Sequence, residues 1–135
     1  MKATSSNIAD VDLDLAETLF RQLDRATRRG QGIVRDSYGS GEQAAHDIVR
    51  AAAERIGLEV SVDAIGNLAM TLPGKDRRTP RILIGSHLDS VPQGGNFDGA
   101  AGVVAGLCAL AALRQSGFVP DCDIGVMAIR AEESS

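Results

Sequence analysis

Five side chains that could bind a metal ion or move a proton follow two short apolar segments of the chain. His87, Asp89 and Asp98 come after the first segment, and Glu132 and Glu133 come after the second. An imidazole nitrogen and several carboxylate oxygens are common ligands of a catalytic divalent cation. We interpret His87, Asp98 and Glu133 as metal ligands, and Glu132 and Asp89 as groups that move protons and orient a ligand. This combination predicts a metal-dependent hydrolase.

The two apolar segments are predicted to be neighbouring parallel strands. Residues 82–85 and 124–129 are short and continuously apolar, which is typical of strands buried on both faces of a sheet. Residues 99–116 are apolar almost all round and predict a buried helix, so strand, helix and strand form a right-handed crossover. In an open α/β sheet the ligand site lies at the carboxyl ends of the strands, where the five side chains fall.

His87 and Asp89 are spaced to act together. Residues two apart in an extended chain lie on the same side, so the Asp89 carboxylate can accept a hydrogen bond from the ring nitrogen of His87 that does not face the metal. The simpler alternative is a strand-end histidine bonded to a loop aspartate. Glu132 and Glu133 could likewise have no role at a metal, because paired acidic residues after a strand are often only exposed to solvent.

Asp98 ends a loop that is long for its position. The loop runs for about ten residues, whereas connections from a strand to a helix usually take about 2 to 6. Asp98 precedes the predicted helix and could be its N-cap. Gly94, Gly95 and Gly99 surround it with a backbone that can adopt conformations closed to other residues, which favours a carboxylate aimed at a ligand.

The first half of the chain predicts two helices. One begins near Asp14, with Glu17 as its capping partner, and the other begins at Ser40 with the capping-box spacing to Gln43. Gly57 supplies the C-terminal stop of the second helix. Between the helices, residues 30–40 form a glycine-rich connection.

Two half-exposed strands follow, at residues 58–62 and 68–72, joined by a short turn. His46 falls beside the apolar stripe of the second helix, where it is predicted to lie on the helix surface and not to replace a metal ligand. No repeat interrupts the pattern, so the elements predict a single α/β domain.

Composition narrows the classes of function. A chain of 135 residues that is 44% hydrophobic has the size and core of one globular domain. A net charge of −4 and 3% aromatic residues argue against nucleic-acid binding. The chain has no apolar stretch of membrane-spanning length and no secretory signal, so we expect no membrane association and a cytoplasmic location. Cys108 and Cys122 are predicted to be reduced and structural.

Three motifs carry a resemblance to a known family: GSHLDSV at 85–91, GGNFDGAAG at 94–102 and AEES at 131–134. They resemble motifs of the hydantoinase/carbamoylase amidases, which include N-carbamoyl-amino-acid hydrolases, β-ureidopropionase-like enzymes and allantoate amidohydrolases. These amidases are related to the two-metal aminoacylases and carboxypeptidases. The resemblance extends to DAIGN at 63–67 and is most specific in the last third of the chain.

The resemblance implies a fold and a site. The fold would be a three-layer, zinc-peptidase-like α/β fold with a mostly parallel central sheet and an added antiparallel strand pair. His87 would bind one of two divalent metal ions, Asp98 would bridge both and Glu133 would bind the other, with the ions being zinc, manganese, cobalt or nickel. Glu132 would be the general base and Asp89 would orient a ligand. The family also commonly has a cis peptide after the bridging aspartate, here Asp98–Gly99.

The same resemblance implies hydrolysis of a linear amide C–N bond in a small-molecule ureido or amide substrate, most often an N-carbamoyl amino acid. Residues 1–135 would be the N-terminal part of the catalytic domain, and the further ligands and the dimerisation or lid domain would lie beyond Ser135. We therefore expect the full enzyme to be a homodimer, and residues 1–135 alone to bind metal weakly and to have little or no amidase activity.

Three alternatives stay open. The chain could belong to an aminoacylase or metallopeptidase of the same superfamily, or it could be a non-catalytic interaction fragment. A nucleotide-binding module also has a glycine-rich loop between a strand and a helix, but the loop at 94–99 lacks the G-x-G-x-x-G spacing.

Overall fold

The computed structural model describes residues 10–133, which fold into three helices and six strands. In chain order these are α1 (Leu13–Thr27), β1 (Arg28–Arg29), β2 (Gly32–Ile33), α2 (Ser40–Ile56), β3 (Glu59–Val62), β4 (Leu68–Leu72), β5 (Ile82–His87), α3 (Ala100–Gln115) and β6 (Ile124–Ile129). A small antiparallel pair lies at the start of the predicted glycine-rich connection, with β1 just before residue 30 and β2 inside the connection.

The four longer strands form one mixed sheet in the order β3-β4-β6-β5. β5 and β6 are parallel and joined through α3, as the apolar pattern predicts, while β3·β4 and β4·β6 are antiparallel. The predicted α/β class and the antiparallel strand pair are confirmed. Over the described residues only the β5·β6 ladder is parallel, so the sheet of this chain is mixed.

The three helices lie on one face of the sheet. α2 and α3 contact the sheet and each other, and α1 packs across both of them. The core between these layers is aliphatic and includes Leu19, Val49, Met70, Leu107 and Val126. Residues 10–133 thus supply two of the three expected layers. No helix of this part of the chain is both long and apolar enough to cross a membrane.

Both cysteines are free thiols, as predicted. Cys108 is buried in the core on α3, and Cys122 is partly exposed in the connection that leads to β6. Burial raises the pKa of the Cys108 thiol, so this sulfur is held in its unreactive protonated form.

Strand burial differs from the sequence prediction in two places. Ile82, Leu83 and Ile84 of β5 are 55%, 40% and 49% exposed, although their continuously apolar run predicts burial on both faces. The reason is position, because among residues 10–133 β5 lies at the edge of the sheet and pairs with β6 on one side. Conversely, β4 is buried at every residue except Thr71, since it lies between β3 and β6.

The helix ends also differ in detail. α1 begins one residue before Asp14, because Asp12 is its N-cap and its carboxylate accepts a hydrogen bond from the Leu15 amide at 3.0 Å. The predicted capping pair with Glu17 is wrong. In α2 the N-cap is Gly39, which has no side chain to accept a hydrogen bond from a helix amide, so the predicted capping box from Ser40 does not form. Its left-handed Gly57 stop is confirmed, with φ of +85°.

His46 is buried, and its predicted place on the surface of α2 is wrong. The residue is 3% exposed, and neither ring nitrogen has a hydrogen-bond partner among residues 10–133. Burial lowers its pKa to about 4, and the charge of Arg130 acts in the same direction. His46 is therefore a neutral residue of the packed interior at ordinary pH.

We expect His46 to make folding sensitive to acid. The unfolded chain takes up this proton near the ordinary pKa of about 6.5, while the folded chain takes it up only near 4. The free energy of unfolding should therefore fall by about 3 kcal/mol more in the wild type than in His46→Leu as the pH drops from about 7 to about 4. Urea unfolding at both pH values measures this difference, and equal losses in the two proteins would contradict it.

Candidate metal centre

The predicted site residues converge at the carboxyl ends of β5 and β6. The parallel register pairs His87 with Ile129, so the last residues of the two strands are neighbours. Glu132 and Glu133 follow in the turn after β6, and one ligand atom of each lies within 4.8 Å of the others and of a His87 nitrogen. This convergence, inferred from the strand pattern alone, is confirmed.

The two ring nitrogens of His87 face different groups, Nδ1 facing Asp89 and Nε2 facing Glu132. Its Nδ1 lies 3.1 Å from the Asp89 backbone carbonyl, which can only accept, so the proton belongs on Nδ1. Its Nε2 lies 3.5 Å from Glu132 Oε2 and keeps a free lone pair on the side of the acids. The Asp89 carboxylate is farther from the ring, at 3.4 Å, so the main partner of Nδ1 is the carbonyl and not the predicted carboxylate.

The Asp89 carboxylate instead holds the turn that carries the two glutamates. It accepts the amides of Glu132 at 3.1 Å and of Glu133 at 2.8 Å, and the Ser37 hydroxyl at 2.9 Å. Asp89 is fully buried, and this burial alone would raise its pKa. The hydrogen bonds, together with the nearby His87, outweigh burial and hold the pKa of Asp89 below its ordinary value.

Asp98 lies at the entrance to α3 without capping it. The N-cap is Gly99, and no side chain makes the capping bond, which removes the simpler interpretation of Asp98. A hydrogen bond that protonated Glu133 donates to the Asp98 carboxylate raises the pKa of Glu133, an effect reinforced by the desolvation of Glu133 and by the negative charge of Asp98 itself. Asp98 and Glu133 therefore face each other across the site.

Gly99 explains how the loop reaches His87. Its φ is +64°, and a Cβ atom there would lie 2.5 Å from two atoms of the His87 ring. Only glycine fits this close approach. The predicted cis peptide at Asp98–Gly99 is wrong, because residues 10–133 contain no cis peptide bond. The positive φ of Gly99 makes the sharp turn into α3 with an ordinary trans bond.

Two further buried residues support the site, although the sequence did not predict a role for them. Glu42 on α2 accepts the Ala131 amide at 3.0 Å. Arg35 is fully buried and donates to Asn96, two residues before Asp98, at 3.3 and 3.5 Å. Burial lowers the Arg35 pKa, while the charges of Asp98 and Asp89 oppose that shift. Neither residue belongs to a recognisable motif, and a lone charge in a polar loop or first helical turn carries no signal of burial.

The donor set fits a divalent cation. One imidazole nitrogen and the carboxylates of Asp98, Glu132 and Glu133 surround the ends of two strands, and carboxylate-rich sites with an imidazole suit zinc, manganese, cobalt and nickel. These acids also repel one another, and a bound cation would relieve that repulsion.

Comparison with known proteins gives the family. The model of "Peptidase family M28" matches residues 67–135, which include every predicted site residue. The chain belongs to peptidase family M28. The predicted site residues of this M28 chain therefore lie inside the segment that matches the family model.

Relatives of this M28 chain are amidohydrolases. It is 38% identical over 119 residues to the N-carbamoyl-L-amino-acid amidohydrolase of Paenarthrobacter aurescens, covering 88% of this chain and 29% of the relative. It is 30% identical over 122 residues to the ureidoglycolate hydrolase of Oryza sativa subsp. japonica, covering 87% of this chain and 25% of that protein. The resemblance to the carbamoylase group is thereby confirmed.

The fold comparison agrees. A hydantoinase/carbamoylase family amidase from Burkholderia ambifaria superposes with a TM-score of 0.89 at 31% identity, covering 96% of this chain and 32% of that structure. This M28 chain thus spans about 30% of the length of the relatives it matches. The described residues accordingly form part of a larger fold in those proteins.

Proposed function

We propose that this chain forms part of a metal-dependent amidohydrolase that cleaves a linear amide C–N bond in an N-carbamoyl amino acid or a related ureido acid. The observation that carries the proposal is the convergence of His87, Glu132 and Glu133 within 4.8 Å at the ends of two parallel strands. The named activities of the relatives in Paenarthrobacter aurescens and Oryza sativa support the choice of substrate class.

The ligand roles remain as the motifs imply. His87, Asp98 and Glu133 would hold two divalent cations, with Asp98 between them. A bound cation of this kind polarises a carbonyl and lowers the pKa of coordinated water toward about 7. The proposed cations are zinc, manganese, cobalt or nickel, because these ions accept imidazole nitrogen together with carboxylate oxygen.

Glu132 is the proposed general base. Its carboxylate is exposed to solvent and approaches the free Nε2 side of His87, whereas its backbone amide is tied down by Asp89. In the proposed reaction, Glu132 takes a proton from water and returns it to the leaving nitrogen. Asp89 acts by orienting both the His87 ring, through its carbonyl, and the glutamate turn, through its carboxylate.

The matched family model favours a second candidate function. The name of peptidase family M28 refers to the cleavage of peptides. The same ligands and general base would serve to cleave a peptide or an N-acyl amino acid. The two functions differ in their products. Hydrolysis of an N-carbamoyl amino acid releases ammonia, whereas hydrolysis of a dipeptide releases a free amino acid and no ammonia.

We expect residues 1–135 alone to bind Mn²⁺ or Zn²⁺ weakly and to release little or no ammonia from N-carbamoyl amino acids. Three protein ligands cannot complete two coordination spheres, so tight binding needs the rest of the fold. Isothermal titration calorimetry with each cation and an ammonia-release assay test both statements. Robust turnover by residues 1–135 would refute the expectation of inactivity.

The proposal itself has a separate test. A longer polypeptide that carries this chain should release ammonia from an N-carbamoyl amino acid, lose that activity on dialysis against a chelator, and regain it with a divalent cation. Activity that survives the chelator, or cleavage of dipeptides only, would contradict the proposed reaction. A homodimeric assembly and a cytoplasmic location belong to the same proposal.

A further inference from the structure

We propose that Glu42 is a positioning residue of the metal centre: its buried carboxylate fixes the turn after β6 so that Glu132 and Glu133 point toward His87. The inference rests on the proposed function, because it assigns Glu42 a part in forming that site. It concerns a residue on α2, far in sequence from the motifs that identify the centre.

The Glu42 carboxylate accepts hydrogen bonds from the backbone and from one arginine side chain. It is fully buried, and it accepts the Tyr38 amide at 2.6 Å, the Ala131 amide at 3.0 Å and Arg130 Nη1 at 3.1 Å. A buried carboxylate is stable only where donors replace the water that it has lost. Its position is therefore set firmly by the segments on both sides of it.

Arg130 makes the end of β6 rigid. Besides Glu42, its side chain donates to the carbonyl of Gly66 at 3.1 Å, and its backbone amide donates to Asn67 Oδ1 at 2.9 Å. The arginine thus joins α2 to the turn between β3 and β4. These bonds place the residue just before the glutamate turn in one orientation.

Ala131 is where the chain bends toward the site. Its φ is +56°, a left-handed conformation that is unfavourable for any residue with a Cβ atom. Such a conformation persists only where the surroundings enforce it. The bond from its amide to Glu42 is one such constraint, and a return of Ala131 to ordinary φ would redirect every residue after it.

Two buried carboxylates therefore bind three successive amides. Glu42 binds the amide of Ala131, and Asp89 binds those of Glu132 and Glu133. The side chain of Glu133 lies near those of Asp98 and Glu132, and these negative charges repel that of Glu133 before a cation is bound. Without Glu42, that repulsion would act on a turn that has lost one of these two carboxylate acceptors.

The test compares Glu42→Gln with Glu54→Gln. Both change a glutamate on α2, but Glu54 is exposed and pairs only with Arg50, so Glu54→Gln is the matched control. The first measurement is amide hydrogen exchange in the metal-free chain. We expect exchange at Ala131, Glu132 and Glu133 to accelerate at least about 10-fold in Glu42→Gln, with amides in the middle of β6 unchanged.

The second measurement is the binding of Co²⁺ to a longer polypeptide that carries this chain, monitored by calorimetry and by the visible absorption of the bound ion. We expect Glu42→Gln to lower the affinity for Co²⁺ about 10-fold and to alter the absorption spectrum, since loss of a residue that orients ligands typically costs about 10- to 100-fold in metal affinity. Glu54→Gln should match the wild type in both measurements. A role of Glu42 in stability alone would leave the spectrum of the bound ion unchanged.

The outcomes separate this inference from the proposed function. A longer wild-type polypeptide that carries this chain and binds no Co²⁺ would overturn the proposed function. Binding that is equal in the wild type and in Glu42→Gln, or unchanged exchange at residues 131–133, would overturn the positioning role alone. If Glu42→Gln does not fold, Glu42→Asp keeps the charge but shortens the reach to Ala131, and the same exchange and affinity changes are expected.

Discussion

In a longer polypeptide that carries this chain, Asp98→Asn should lower the affinity for Mn²⁺ or Zn²⁺ by at least about 100-fold, the largest loss that we expect from a single substitution at the centre. Loss of a residue that merely orients a ligand already costs about 10- to 100-fold. Asp98 is implied to bridge both cations, so its substitution removes one ligand from each. Calorimetric titration of the wild type and the variant with the same cation measures the effect.

The comparison variant for this prediction is Glu132→Gln. The atoms that lie closest together are those of His87, Glu132 and Glu133, so the geometry alone would also permit Glu132 as a ligand in place of Asp98. If Glu132 is the general base, Glu132→Gln should change the cation affinity by less than about 3-fold, because a general base needs no bond to the metal. The opposite pattern, with affinity lost in Glu132→Gln and kept in Asp98→Asn, would exchange the two roles.

The parts of the site that the sequence predicts are those set by local pattern. The strand that ends at His87, the buried helix α3 and the strand before Glu132 each have a characteristic run of apolar residues. Because a parallel crossover brings strand ends together, the meeting of His87 with the two glutamates follows from that order of elements.

The parts that the sequence does not predict depend on neighbours distant in the chain. The exposure of β5 follows from its place at the sheet edge, and no pattern within residues 82–87 indicates that place. His46 and Glu42 are buried close to Arg130, which lies at the end of β6 and is far from α2 in the sequence. Polar residues of this kind are ordinary in a helix sequence, and only tertiary packing distinguishes them.

Asp89 illustrates the difference between identifying a residue and identifying its contacts. The spacing from His87 selects the correct residue, and the ring does make its hydrogen bond to Asp89. The bond goes to the carbonyl, because the carboxylate is engaged by the glutamate turn and by Ser37. A sequence motif reports that two residues are close, but the competition among donors for one carboxylate is decided by the three-dimensional arrangement.

That competition makes Asp89 the residue whose loss should destabilise the described fold most among the predicted site residues. We expect Asp89→Asn to lower the free energy of unfolding by about 3 kcal/mol. Asparagine has nearly the same shape, but it replaces one oxygen with an amide group that donates. That group would face donors from Ser37 and Glu133, or from Glu132 if the side chain were flipped, so a buried donor would lose its acceptor.

Urea unfolding near neutral pH in the absence of metal isolates this effect from cation binding. Asp121→Asn is the control, since Asp121 is 95% exposed and pairs with an exposed lysine, and such surface changes usually stay within about 0.5 kcal/mol. A loss in Asp89→Asn no larger than that of the control would show that the three hydrogen bonds contribute little in the metal-free chain. The arrangement of Glu132 and Glu133 would then have to be imposed by the cation, and the centre would not be formed in advance of binding.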